Sequence, residues 1–237
     1  MGKMYNNLSL RLKTVADMVT KDYRIADIGT DHGLVPISLI ERKIIPSGIA
    51  MDVNQGPLEI AKGNIEGAGL SHKIEVRQSD GLEKLKPYEV DSVVLAGMGG
   101  NLMIKILSEY WQVTRSLKEC IIQPQSEWEK VRRFLVEHNF AIVQEEMVMD
   151  ADKYYLVMKV IESEQESRWS EVELAFGKLL LKNKNTTLLE YLLREVTIKD
   201  GILLQLKKET GKKIEERKKE IISEIELLRR GLNYFCD

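Results

Sequence analysis

The stretch IADIGTDHG, residues 25–33, decides how this chain is read. A short apolar run reaches Asp27 and passes into a turn opened by Gly29 and closed by Gly33. Glycines there permit a tight turn and let the backbone approach a ligand, and a helix starting behind them aims its first amides at an anion. Strands of nucleotide-binding sheets end in this way. Here, however, Asp31 stands where a second glycine is usual, and His32 follows it. The pair is open to three readings: a metal site, a catalytic pair, or part of a cofactor cradle.

Working outward, Leu8, Leu12, Val15, Ala16 and Val19 recur at helical spacing and predict an amphipathic opening helix. Downstream, short apolar strands at 23–29, 48–53, 73–78, 90–97 and 119–124 alternate with helical patterns at about 36–43, 57–68, 101–110 and 127–139. Pro36 and Pro57 fall in first helical turns, where a missing donor is tolerated. This alternation predicts parallel strands joined by right-handed crossovers, an α/β doubly wound, Rossmann-like sheet. Two more extended runs, 140–150 and 153–161, are separated only by Ala151 and Asp152. That gap is too short for a parallel return, so they predict a terminal antiparallel hairpin.

Residues 162–168, ESEQESR, read as a polar linker, and everything beyond them as helix. Leu189, Leu192, Val196, Leu203 and Leu206, then Ile214, Ile221, Ile225, Leu228 and Leu232, keep three-and-four spacing if Lys199 fills a seam position. The expectation is two domains, 1–162 and 163–237, the second a coiled-coil-like helical hairpin turning at Gly201 or Gly211.

Composition narrows the function classes. With 35 Lys and Arg against 37 Asp and Glu in 237 residues, no global positive field exists, so any nucleic-acid contact must come from local patches. Cys120 and Cys236 are too far apart in sequence for a C-x-x-C pair or a disulfide framework. His32, His72 and His138 fall in different elements without H-x-x-x-H spacing, and no metal is expected. Cys120 lies inside an apolar strand, as a small hydrophobe does. The start of the chain shows no charged stretch leading into an apolar run, and no apolar run approaches the roughly 18 residues of a membrane span. A cytoplasmic protein, monomeric or weakly dimeric and without a membrane partner, is expected.

Ligands of open parallel sheets bind outside the carboxyl ends of the strands, and four such ends carry chemistry here. Asp27, Gly29, Asp31, His32 and Gly33 form the first. Asp52, followed by Val53, ends the next strand just over 20 residues past Gly29, where a carboxylate can accept from both hydroxyls of a ribose. Asp80 and Gly81 follow the third strand, placed to accept from an adenine amino group. Ala96, Gly97, Met98, Gly99 and Gly100 close the fourth, leaving backbone open beside a transferred group. The ribose spacing suits NAD as well as S-adenosyl-L-methionine. The dinucleotide fingerprint fails, though, because Asp31 would set a carboxylate against a pyrophosphate, whereas a cofactor bearing a sulfonium and an ammonium tolerates it. Together the four ends point to a Rossmann-like methyltransferase using S-adenosyl-L-methionine, with Asp31 and His32 at its methionine end, His32 capping the turn or contacting the cofactor carboxylate instead of moving protons.

At IADIGTDHGLVP (25–36), AMDVN (50–54), QSDGL (78–82), LAGMGG (95–100) and QPQSEWEKVRRFL (123–135), and in the opening NNLSLRLKTVADMV (6–19), the sequence resembles the bacterial tRNA (adenine-22-N1)-methyltransferase family nearly end to end. DIGTDHG and AGMGG in that order are the specific part, and the tail looks like that family's C-terminal coiled-coil appendage. The resemblance implies methyl transfer from S-adenosyl-L-methionine to N1 of adenine 22 in tRNA. Adenine N1 is a neutral nucleophile with an in-plane lone pair, so alignment does most of the work and no dedicated base is required. N1 lies on the Watson–Crick edge, so the base must be unpaired or extruded. Asp31, Met98 and Gly99 would position the reacting groups, Asp31 either holding the cofactor ammonium or stabilising the cationic purine. The Gly-Met-Gly-Gly run, in place of the Asn- or Asp-Pro-Pro-aromatic motif common for exocyclic amines, argues against N6 chemistry. Arg11 and Lys13 near the cleft, with Lys207, Lys208, Lys212 and Lys213 in the tail, are the expected tRNA contacts. The alternatives are a methyltransferase of this fold acting on a small molecule or protein, and a non-catalytic cofactor-binding tRNA chaperone.

Overall fold

The chain enters the fold through helix α1 (Leu10–Met18), whose first turn is capped by Ser9 accepting from the Leu12 amide, and whose Val15, Ala16 and Met18 are buried. In the computed structural model residues 7–164 and 168–236 are described, and they divide into two compact units, Met1–Arg168 and Trp169–Asp237. The division therefore falls after the linker expected at 162–168, of which 165–167 lie outside the described residues, as does Asn6 of the opening motif.

The first unit continues through β1 (Ile25–Ile28), α2 (Leu34–Glu41), β2 (Gly48–Asp52), α3 (Gln55–Gly67), β3 (Ile74–Gln78), β4 (Ser92–Met98), α4 (Gly100–Glu109), α5 (Trp111–Ser116), β5 (Glu119–Pro124), α6 (Trp128–Glu137), β6 (Phe140–Asp150) and β7 (Lys153–Glu162). The strands form one seven-stranded sheet in the order β3-β2-β1-β4-β5-β7-β6. The first five are parallel, and β7 lies between β5 and β6, antiparallel to both. Every residue of β1 and β5 is buried, which is why these strands are apolar on both faces apart from the buried Asp27, Glu119 and Gln123 instead of alternating. Strand order reverses between β1 and β4, the crevice where such sheets bind ligands. Helix α5 has no counterpart in the expected elements: six residues, WQVTRS, are too few to show a period.

Two buried polar clusters hold this unit away from the crevice. The Arg132 guanidinium on α6 pairs with Glu145 on β6 at 2.8 Å, both side chains fully buried. Glu119 on β5 accepts from the Thr20 amide and hydroxyl and pairs with Lys159 of β7 at 3.0 Å.

The second unit holds α7 (Glu171–Phe176), α8 (Lys178–Lys182), α9 (Thr186–Leu206) and α10 (Lys212–Leu232), closed by a short 3-10 turn, Asn233–Phe235. Ser170 and Glu173 form a reciprocal capping box at the start of α7. Helices α9 and α10 run antiparallel, as Lys199 pairs with Glu224, Asp200 with Arg229, and Lys218 reaches the Glu209 carbonyl. The turn is at Gly211, whose φ of +136° is open only to glycine, while Gly201 sits inside α9. Leu188, Leu192, Ile221, Ile225 and Leu228 are buried, whereas Leu203 and Leu206 are half-buried, so the apolar seam is tight only away from the turn.

Candidate active site

The turn after β1 is built by its own sequence. Gly29 (φ +70°), His32 (φ +63°) and Gly33 (φ +68°) take left-handed conformations, and the Thr30 amide is held by the Met51 carbonyl at 2.8 Å. A side chain at Gly29 would collide with the Met98 methyl, so the Met98 side chain lies directly over the turn after β1. Asp27 is buried beneath this turn and accepts from the Thr30 hydroxyl at 2.6 Å. Burial pushes its carboxyl from 3.8 up to about 6; the Thr30 bond works against this, and the Asp31 and Asp52 carboxylates add to it. Asp31 is three-quarters exposed and meets His32 Nε2 at 2.9 Å, and the His32 carbonyl accepts from Asn64 on α3.

Asp52 ends β2 with its Oδ1 accepting from the Asn54 amide at 2.7 Å, which fixes the carboxylate at the strand end. The Ser79 amide donates to the Asp52 carbonyl, and the Ser79 hydroxyl bridges the Gly81 carbonyl and the Lys84 amide, shaping the turn that carries Asp80. Gly81 (φ +54°) lies against Ile106 of α4, where a Cβ would come to 3.0 Å. Met98 ends β4 after a bulge at Gly97, and Gly99 leads into α4. The Gly100 amide is bound by Glu127 at 3.0 Å, and the Ser126 hydroxyl followed by the amides of Asn101 and Gly100 keeps that carboxyl below its usual range.

Two hollows open at these strand ends and share Gly29, Ala96 and Gly97. One, of about 270 Å³, is lined by Asp52, Val53, Asn54, Ser79, Asp80 and Gly81, with Leu102 and Ile106 facing them. The other, of about 190 Å³, is lined by Arg11, Leu12, Asp27, Asp31, Val35 and Gln125. The donor set suits a two-ended ligand. Apolar walls with Asp80 suit a flat base and Asp52 suits a diol, while Arg11 in one lining with Asp27 and Asp31 suits a zwitterion.

The expected site residues thus gather around the two hollows, with exceptions. His32, Gly33 and Gly99 shape turns without lining either hollow. Arg11, expected at tRNA phosphates, has its guanidinium in the hollow's wall, donating to Gln123 at 2.8 Å because α1 packs beside the sheet's crevice. Lys13 is half-buried two residues further on. Lys207, Lys208, Lys212 and Lys213 surround the turn between α9 and α10 in the second unit. Sequence reasoning missed Thr30, Asn54, Leu102, Ile106, Gln123 and Gln125. The two glutamines had a signal, since QPQ (123–125) closes an otherwise apolar strand. Among the described residues no cluster of three or more His, Cys, Asp or Glu could hold a metal ion. Cys120 is no nucleophile, its thiol pushed up to about 12 by burial and by Glu119.

A parallel sheet reversing between β1 and β4, closed by an antiparallel hairpin and carrying these hollows at the carboxyl ends of its strands, defines a Rossmann-like methyltransferase. A family model described as "Methyltransferase domain" matches residues 8–158. More narrowly, the chain belongs to the tRNA (adenine(22)-N(1))-methyltransferase family. It is 30% identical over 232 residues to that enzyme of Bacillus subtilis, covering 96% of this chain and 98% of the relative. The structure of Streptococcus pneumoniae Sp1610, a putative tRNA (m1A22) methyltransferase in complex with S-adenosyl-L-methionine, superposes with a TM-score of 0.86 at 30% identity, covering 95% of this chain and 99% of that one. M. capricolum TrmK in complex with S-adenosyl-homocysteine gives 0.84 at 31% identity, with 96% and 98% covered.

Proposed function

We propose that this chain transfers a methyl group from S-adenosyl-L-methionine to N1 of adenine 22 in tRNA. The observation that carries the reading is the pair of hollows, one suited to a nucleoside and one to an amino-acid zwitterion, meeting at Gly29, Ala96 and Gly97. Asp52 and Asp80 would hold the ribose and adenine of the cofactor, Val53, Leu102 and Ile106 would flank its base, and Asp27 and Asp31 would face its ammonium. Bound there, the cofactor supplies an electrophilic methyl on a sulfonium.

The chain's own task is then orientation. Gly97, with φ +80°, and the extended Gly99 carry no side chain into the approach of an incoming base. N1 carries no proton to remove, so the arrangement needs no titrating base and works by aligning a lone pair with the methyl. A buried carboxylate such as Asp27, and Asp31 above it, favour the positive charge that the purine acquires. No described helix is long and apolar enough to cross a membrane, and a tRNA substrate supports the reading of a cytoplasmic protein.

The decisive experiment incubates the full chain with unmodified tRNA and methyl-labelled cofactor and maps the product by mass spectrometry. One methyl on N1 of adenine 22 is expected; transfer elsewhere, or none, overturns the proposal. We assign the sheet unit to catalysis and the helical unit to tRNA contact through Lys207, Lys208, Lys212 and Lys213, a local basic group in a chain of net charge -2. Reversing all four to Glu in the full chain should weaken tRNA binding at least tenfold at physiological salt and leave cofactor affinity unchanged; unchanged tRNA affinity refutes the assignment.

A further inference from the structure

Strand β5 ends at Pro124, and the residues after it, Gln125, Ser126 and Glu127, lie against the glycines that close β4. The Gln125 amide donates to the Met98 carbonyl at 2.8 Å, and the Trp128 indole N–H donates to the Pro124 carbonyl at 3.0 Å. Glu127 accepts from the Gly100 amide at 3.0 Å and from the Ser126 hydroxyl. Its backbone is left-handed, φ +52°, a conformation that is costly for a residue bearing a Cβ and persists because these bonds hold it. The tethers use every polar side chain of the segment except one. Gln125 is exposed, and among the described residues its carboxamide makes no hydrogen bond. Gln123, two residues earlier, is fully buried and uses both ends of its own carboxamide. Its oxygen accepts from Arg11 Nη1 at 2.8 Å and from the Gly97 amide at 3.0 Å, and its nitrogen donates to the Pro124 carbonyl at 3.3 Å. An open carboxamide is ordinary on a protein surface; its place on a rigid segment of the site gives this one a meaning.

Gln125 lines the smaller hollow together with Gly29, Ala96 and Gly97, the residues at which the two hollows meet. Its Nε2 lies 3.7 Å from where a Cβ on Gly97 would stand, and Ser126 Oγ lies 3.4 Å from the same point on Gly99. Those two glycines leave the approach of an incoming base open, so the base passes beside Gln125. A carboxamide pairs with adenine on the edge away from N1: its oxygen accepts from the N6 amino group and its nitrogen donates to N7. That pairing leaves N1, on the other side of C6, uncovered. Guanine presents two acceptors on the same edge, and pyrimidines have no N7. We propose that Gln125 reads the substrate base as adenine by this bidentate pairing and turns N1 towards the methyl group. The inference rests on the adenine-N1 reading above and deepens it by naming the residue that selects the base. As the bond from N1 to the methyl forms and the bond from sulfur breaks, the latter's electron pair stays on sulfur as a thioether and the purine takes the positive charge. The N6 protons then become stronger donors, so the bond to Gln125 tightens in the transition state and its loss should appear in kcat as well as in KM.

A cycle between protein and substrate tests this. The full chain is assayed on unmodified tRNA carrying either adenine or 7-deazaadenine at position 22, the second base keeping N1 and N6 but replacing N7 by a C–H group. Gln125→Met should lower kcat/KM on the adenine tRNA about ten- to hundredfold, as loss of a bidentate pair does. Affinity for S-adenosylhomocysteine, measured by titration calorimetry, should be unchanged, and this binding also reports that the variant is folded. The wild-type preference for adenine over 7-deazaadenine should exceed that of Gln125→Met by about fivefold, the worth of one hydrogen bond. Any intrinsic difference in reactivity between the two bases cancels in that ratio. Gln125→Glu, whose carboxylate still accepts from N6 but opposes the N7 lone pair, should shift the preference further towards 7-deazaadenine than Gln125→Met does. A Gln125→Met protein that keeps the wild-type preference, or that loses S-adenosylhomocysteine in step with activity, overturns the inference. Wild-type protein that leaves N1 of adenine 22 unmethylated overturns the underlying reading itself, and this inference with it.

Discussion

Replacing Asp27 by Asn should make the ligand-free protein more stable at neutral pH, although the residue sits in the site's first turn. The carboxyl is 5% exposed and burial raises it from 3.8 to about 6, which corresponds to about 3 kcal/mol held against the ionised form. The folded state therefore binds this proton more tightly than the unfolded chain does. Above pH 6 the penalty is fully present; it fades as pH falls towards 3.8, where both states are protonated. Asn has the same shape and can still accept from the Thr30 hydroxyl, so packing is preserved. Urea unfolding of the ligand-free chain should show Asp27→Asn more stable than wild type by up to about 3 kcal/mol at pH 7.5, with most of the difference gone by pH 4.5. A cationic ligand should reverse the balance. The ammonium of S-adenosylhomocysteine favours ionised Asp27, so wild-type affinity should fall as pH drops through about 6, by at most about tenfold per pH unit, while the Asn variant stays flat. An Asn variant less stable than wild type at pH 7.5, or a pH-independent difference, would refute the reasoning.

Two further tests probe packing. A Cβ at Gly100 would stand 2.6 Å from the Ser126 carbonyl and 2.7 Å from Val131 Cγ2, so Gly100→Ala should destabilise by about 1–3 kcal/mol, whereas Gly56→Ala in α3, with no atom within 4 Å, should stabilise by about 0.5–1 kcal/mol in the same denaturation assay. Arg132→Met leaves Glu145 buried without its cation and should cost about 3–5 kcal/mol, while adding Glu145→Leu should recover most of that loss; a double variant no better than the single would show that the pair is more than mutual compensation.

Legibility followed the range of the physics. Strand ends such as Asp52 and Asp80 were readable because a strand-to-helix turn is local and glycines mark it. Helix α5 was not, being shorter than two periods, and neither Gly201 nor Gly211 could be preferred as the turn, since helix interiors tolerate an isolated glycine at modest cost. The tail's leucines kept their spacing, but spacing does not say where the seam is tight, and the structure buries Leu188 in place of Leu189. Arg11 illustrates the limit best. From sequence it was an expected tRNA contact near the cleft, and only packing showed its guanidinium in the wall of the hollow, bound to Gln123.

By itself the sequence determined the alternation of elements, the hairpin forced by a two-residue gap, and the four strand ends that carry polar and glycine residues, because periodicity and turn chemistry act over a few residues. The tertiary structure decided the strand order β3-β2-β1-β4-β5-β7-β6, the raised carboxyl of Asp27, and the buried oxygen of Gln123 that joins Arg11, 112 residues earlier in the chain, to Gly97. Burial and the choice of a hydrogen-bond partner depend on which distant segments exclude water together, and nothing in the local pattern of residues carries that information.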